Sequence, residues 1–305
     1  MPSYDAVMLI GFGGPTSPGE IRPFLDNVLR GRPVSPARYE SVVHHYEIIG
    51  GRSPYNDLTM GQARALATEL GRAGVTIPVA VGMRNWTPMI GDTLAELGRG
   101  GARRVLGFIL SAFQCEASWE RYQQAVAEAR AQLPDAPIVD YVGPWPDDPL
   151  FIEAVTSRAS DVMGTLSPAD RSTAHLIFTA HSIPAAMAAV SPYVEQLRAA
   201  ARRVATALGT KDWTLCYQSR SGNPRDPWLE PDIVDVIRTI AGQAAGVVPI
   251  GFLCDHVEVL YDLDVEAAGT ARENEVKLVR AGTVGEHPAF IRMMASRIRA
   301  AFDAV

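Results

Sequence analysis

Short apolar runs alternate along this chain with longer stretches whose apolar positions recur every three or four residues. The runs predict strands at residues 6–12, 79–83, 104–113, 138–142, 174–180, 214–217 and 247–253. The alanine-rich amphipathic stretches predict helices over 61–73, 119–133, 193–208, 232–244 and 287–302. Continuous apolar strands separated by helices imply α/β architecture with parallel sheets covered on both faces.

The order repeats. The first strand ends in Gly11-Phe-Gly-Gly-Pro15 and the fifth in His181-Ser-Ile-Pro184, each feeding a proline-marked turn. Leu110-Ser-Ala-Phe113 has its counterpart in Pro249-Ile-Gly-Phe-Leu-Cys254. The expectation is two doubly wound domains related by a pseudo-twofold duplication, residues 1–165 and 166–285, with a closing helix in 286–305. In such folds ligands sit beyond the carboxyl ends of the strands.

Composition narrows the partners. With 47% hydrophobic and 20% charged residues the chain can bury a large core. A net charge of −6 and the lack of a basic tail argue against nucleic acid. Cys115, Cys216 and Cys254 form no CxxC pair, which points to a reduced compartment and away from a zinc knot or iron–sulfur cluster. The first residues carry no basic leader region, and no apolar stretch reaches 18 residues. A cytoplasmic protein without a transmembrane segment is expected.

Chemistry concentrates in Phe252-Leu-Cys-Asp-His-Val-Glu-Val-Leu-Tyr-Asp-Leu-Asp-Val-Glu266. As a regular helix it sets Asp255, Glu258, Asp262 and Glu266 within about 80° of one another. Carboxylates so crowded need solvent, a cation or moving protons. Alternatively Asp255 caps the helix and Glu258 completes a capping box, although that leaves Asp262 and Glu266 unexplained beyond the first turn. His181, at a strand end, is placed to confront this ladder across the gap between the two halves.

Other features invite blander readings. Gly11-Phe-Gly-Gly-Pro15 lacks the third glycine of a dinucleotide fingerprint and reads as a tight turn. Ser182 has no G-x-S-x-G elbow and reads as a helix cap, with Pro184 in the first turn. His44 and His45 are adjacent and cannot share a helix face. His256 is expected to cap or orient the ladder, and His175 and His287 to be structural. Arg30 and Arg32, with Arg52 and Tyr55, place cations and a hydroxyl on turns, suited to a flat ligand bearing carboxylates. Of Trp86, Tyr122, Trp145 and Trp228, most are expected in the core, with Tyr122 and Trp228 the candidate apolar walls.

Taken in order, these segments resemble the ferrochelatase family from Tyr4 to Ile298. They are Gly13-Gly-Pro15, Arg30-Gly-Arg32, Tyr46-Glu-Ile-Ile-Gly-Gly51 with Ser53-Pro54, and Gly82-Met-Arg84. Next come Ala180-His-Ser-Ile-Pro184, Tyr217-Gln-Ser-Arg-Ser-Gly222 and Pro227-Trp-Leu-Glu-Pro231, then Asp255 to Asp264. The resemblance implies two Rossmann-like, chelatase-like domains around a cleft, and insertion of Fe2+ into a free-base porphyrin, coproporphyrin III or protoporphyrin IX, in haem biosynthesis. It implies His181 and Glu258 as the catalytic and metal-handling pair, with Asp262 and Glu266 behind Glu258 as further metal residues. Phe12, Arg30, Ser53, Tyr122 and Trp228 are implied to meet the porphyrin. Fe2+ and porphyrin are then substrates, haem-pathway enzymes are candidate partners, and no permanent cofactor or iron–sulfur cluster is expected. The sequence departs from relatives at His45, where several carry a propionate-binding arginine, at Asn85, where some carry histidine, and at Phe12, often tyrosine. The rival readings are a cobalt- or sirohydrochlorin-type chelatase, with several histidines at the metal, and a non-catalytic haem or porphyrin carrier, which needs no acidic ladder.

Overall fold

The computed structural model describes residues 4–221 and 226–303; the proposed lack of a leader at Met1–Ser3, and Gly222 of the serine-rich motif, lie outside them. Ala6–Gly11 (β1) is apolar and buried at every position, as the middle strand of a sheet covered on both faces must be. It lies between Val79–Met83 (β2) and Arg104–Ile109 (β3), with Ile138–Tyr141 (β4) at one edge. The second sheet repeats the plan with His175–His181 (β5) between Trp213–Gln218 (β6) and Ala244–Val248 (β7), and Lys277–Arg280 (β8) at the edge. All pairings are parallel, and the orders β2-β1-β3-β4 and β6-β5-β7-β8 match strand for strand.

In the second sheet both ends of β7 and the presence of β8 differ from expectation, each for a local reason. The alanines at 244 and 245 open β7 instead of extending the preceding helix, which ends at Thr239 before a left-handed Gly242. Pro249 then ends β7, having no N–H for the ladder. β8 went unread because an edge strand of four residues bounded by Lys277 and Arg280 carries little apolar signal.

Packing ties the halves together. The Pro149–Met163 helix precedes the expected boundary near Leu166 yet packs on β7, β8 and the Tyr193–Ala207 helix. The closing helix, Pro288–Asp303, lies against both Pro149–Met163 and the first half's Tyr55–Arg72 helix. Trp145 lies in the core, as expected: it is buried, with Phe151 at 5.2 Å and Phe290 at 5.7 Å between ring centres.

At Gly251 the chain leaving β7 presses on β5. Its N–H donates to the Thr179 carbonyl at 3.0 Å, and an added methyl would lie 2.6 Å from the Ala180 Cβ. Neither backbone can yield without moving His181, the next residue. Gly251→Ala is therefore expected to lower stability by about 2 kcal/mol, read as a lower urea midpoint at unchanged slope.

Candidate active site

The site forms where the second sheet's winding reverses. From β5 the chain crosses to β6 on one side, and from β7 to β8 on the other, so the segments after β5 and β7 diverge and leave a crevice. His181 is the last residue of β5, and residues 249–256 lead from β7 to the short Val257–Leu260 helix bearing Glu258. Both groups thus belong to the second half. The imidazole and the acids do not confront each other across the gap between the halves; neighbouring strands bring them together, and the first half supplies the opposite wall.

His181 Nε2 stands 3.4 Å from Glu258 Oε1, with the side chains 31% and 38% exposed to the cleft. The other ring nitrogen, Nδ1, donates to the Ser182 carbonyl, and the Tyr193 hydroxyl donates to the His181 carbonyl at 2.9 Å. With Nδ1 so committed, Nε2 is the nitrogen free to accept a proton or a metal. Burial alone pushes the imidazole toward neutrality, but the Glu258 carboxylate outweighs it and holds the imidazolium above its ordinary range. The same attraction, with help from His256, outweighs burial at Glu258 and holds its carboxyl below the usual range. His256 uses both nitrogens, Nε2 at 3.2 Å from Glu258 Oε2 and Nδ1 at 3.2 Å from the Cys254 carbonyl. It orients the carboxylate, as its place in the sequence suggested.

Behind Glu258 the acids run away from the cleft. Asp262 is buried and accepts a hydrogen bond from the Ser219 hydroxyl, and Glu266 is exposed. Residues Asp262–Ala267 form a π-helical turn, in which the Glu266 N–H bonds the Tyr261 carbonyl five residues back at 3.0 Å. Asp255 leaves the expected stripe. It precedes the helix, whose cap is His256 without a side-chain bond, and pairs instead with Arg280 at 3.2 Å. The capping-box reading therefore does not hold either. Among the described residues no three His, Cys, Asp or Glu side chains converge as a ready metal cage; the metal-competent feature is the open His181–Glu258 pair.

The first half contributes shape and cations. Phe12 is half-buried, its N–H donating to the Tyr55 hydroxyl at 3.0 Å and its ring edge-on to Phe24 at 6.3 Å. Gly13 is left-handed (φ 90°), and a Cβ there would meet the Trp86 backbone nitrogen at 3.0 Å, so only glycine brings this turn so close. Tyr122 is buried under the Arg84 guanidinium, 5.9 Å from the ring centre. Arg30 is exposed and left-handed, and reaches the Arg84 carbonyl at 3.0 Å. Ser53, at 2% exposure, turns inward; its Oγ accepts from the Tyr55 N–H at 3.3 Å and it packs under Gly14, so it braces the turn. Trp228 is half-buried and bridges Pro184, just beyond His181.

Two further side chains differ from expectation or clarify it. Ser182 does not cap a helix; its hydroxyl donates to the Leu229 carbonyl at 2.9 Å. His45 lies flat on Tyr261, ring centres 3.6 Å apart and planes 9° from parallel, joining the Pro36–Ile48 helix of the first half to the acidic segment. Burial, with Arg38 and His44 nearby, pushes its imidazole down to about 4. It is uncharged at neutral pH and does not replace an anion-binding arginine. Sequence reasoning missed Gln218, which donates to the Glu258 carbonyl, and the role of Ser219, left-handed at φ 61°. Their signal was the serine-rich turn after β6.

Residues 4–302 match the family model described as Ferrochelatase. The ferrochelatase of Rhodopirellula baltica is 40% identical over 98% of this chain and 86% of its own. The coproporphyrin III ferrochelatase of Nocardia farcinica is 42% identical over 99% of this chain and 89% of its own. The sirohydrochlorin chelatase of Bacillus subtilis subspecies spizizenii, solved with cobalt, superposes with a TM-score of 0.57 at 16% identity. It covers 98% of this chain and 95% of its own, which shows the shared fold.

Burial, with Glu258 and Glu266 adding to it against the Ser219 hydrogen bond, pushes the Asp262 carboxyl up to about 7. Infrared titration is expected to show one protonated carboxyl persisting near neutrality and ionising as pH rises through that value. Ser219→Ala removes a bond to the ionised form and is expected to move this midpoint further up; a downward shift excludes the assigned contact.

Proposed function

This chain belongs to the ferrochelatase family, enzymes that insert a metal into a porphyrin in haem biosynthesis, and from that premise we propose that His181 and Glu258 deliver ferrous iron to coproporphyrin III. The observation that carries the assignment is the pair itself: Nε2 and Oε1 at 3.4 Å, with Nδ1 spent on the Ser182 carbonyl. A bare nitrogen lone pair and a carboxylate facing each other need a cation between them, a proton before iron arrives and Fe2+ afterwards. Imidazole and carboxylate together suit a borderline divalent ion.

Insertion exchanges charge for charge: Fe2+ enters and two pyrrole N–H protons leave. Loading iron on the pair displaces the shared proton; once iron has passed to the macrocycle the pair accepts the two pyrrole protons in turn, keeping one and passing the other on. Protons leave by way of Asp262, whose carboxyl is poised near neutrality, toward the exposed Glu266. Phe12 and Trp228 flank the ring and Arg30 meets a propionate. Coproporphyrin III is favoured because relatives at about 40% identity over nearly the whole chain carry that substrate in their names. Cys115, Cys216 and Cys254 are buried beside separate partners, Ser118, the Phe178 carbonyl and Thr59.

Anaerobic Fe2+ insertion, followed by the visible spectrum with coproporphyrin III and protoporphyrin IX in parallel, tests the reading. Turnover with coproporphyrin III as the better substrate is expected; binding of both without insertion leaves a carrier. His181→Ala is expected to lower kcat by about 10²–10⁴-fold, with fluorescence-measured porphyrin binding and circular dichroism preserved. Asp262→Asn is expected to slow insertion most above pH 7, where the native carboxylate accepts protons, and little below it.

A further inference from the structure

Gln218, the last residue of β6, is 1% exposed, yet its Oε1 has no hydrogen-bond partner among the described residues. A buried amide oxygen left unpaired costs stability, and an apolar side chain of similar length would avoid that cost. The other end of the amide explains why it is kept. Gln218 lies opposite His181 in the β5–β6 register. Strand alternation sets its side chain on the same face as Cys216, which shares a core cluster with Val259 and Leu263 of the acidic segment. From that face Nε2 donates to the Glu258 carbonyl at 2.5 Å.

The main chain of the same residue serves the other arm. The Gln218 carbonyl accepts from the Ser182 N–H at 2.8 Å, and the Ser182 carbonyl in turn holds His181 Nδ1. Gln218 is thereby bonded to both segments that carry the pair, by its backbone to the peptide that orients the imidazole and by its side chain to the backbone of Glu258. His256 also steadies the carboxylate, but it reaches back only to the Cys254 carbonyl in its own segment and sets no distance to β5. Resting on the function proposed above, we infer that Gln218 is a positioning residue that fixes the span between His181 Nε2 and Glu258 Oε1, and so the fit of the pair to the incoming metal. Buried behind the pair, it acts through Glu258 and not on the metal. Coordination distances vary little, so a span that drifts keeps one metal bond at the expense of the other.

The test is Gln218→Met, which keeps the length of the side chain and carries no amide. Its urea midpoint is expected to stay near the native one, because the unpaired Oε1 is removed together with the Nε2 bond. The kcat/KM for Fe2+ is expected to fall about 10–100-fold, while the KM for coproporphyrin III and fluorescence-measured porphyrin binding keep their native values. Co2+ titrated calorimetrically into the porphyrin-free enzyme is expected to bind more weakly by a similar factor. Gln218→Asn, whose amide stops one methylene short of the Glu258 carbonyl, is expected to show the same split and replaces the Met variant if that one folds poorly. Native Fe2+ kinetics and Co2+ affinity in the variants overturn the assignment, as does a joint loss of metal and porphyrin affinity with a lower midpoint; turnover by the native enzyme then leaves the chelatase reading intact. A native enzyme that metallates neither porphyrin removes that reading and this inference with it.

Discussion

One charge pair organises this molecule. His181 and Glu258 are each abnormal alone, an imidazole held protonated and a carboxyl held ionised where burial favours the reverse, and each is the cause of the other's state. The fold makes the pairing unavoidable. β5 and β7 are neighbours in a parallel sheet, so the residues leaving their carboxyl ends share one edge however the loops run. Gly251 then seats the second segment against the first with no room for a side chain.

The duplicated architecture divides labour. Both sheets have the same strand order, yet their equivalent edges have become chemically opposite. Where the second half ends β5 in an imidazole, the first ends β1 in a glycine turn that brings Phe12 and Trp86 close to the cleft. One half carries the imidazole–carboxylate pair and the other presents flat apolar surface and positive charge. A ring with a polar centre and carboxylated margins needs both.

Much of this was legible in the chain. The seven apolar runs located all strands but β8, and the repeated strand endings announced the duplication. His181, Glu258, Asp262 and Glu266 were named from strand ends and spacing, and the structure brings the first two together and lines the others up behind. What failed was geometry that periodicity cannot carry. Asp255 has the right spacing, but a distant arginine, Arg280, claims it. Ser53 matches a motif, yet the glycine turn above it faces it inward.

The π-helical turn at Asp262–Ala267 has a consequence for how this segment can vary. Such a turn holds one residue more than an α-helical turn, and each residue advances a regular helix by about 100°. Deleting one residue there would restore an ordinary helical turn, with Glu258 before it and Ala267 after it keeping their seats while the acids from Asp262 to Glu266 faced new directions. The surplus residue thus sets where the acidic side chains point.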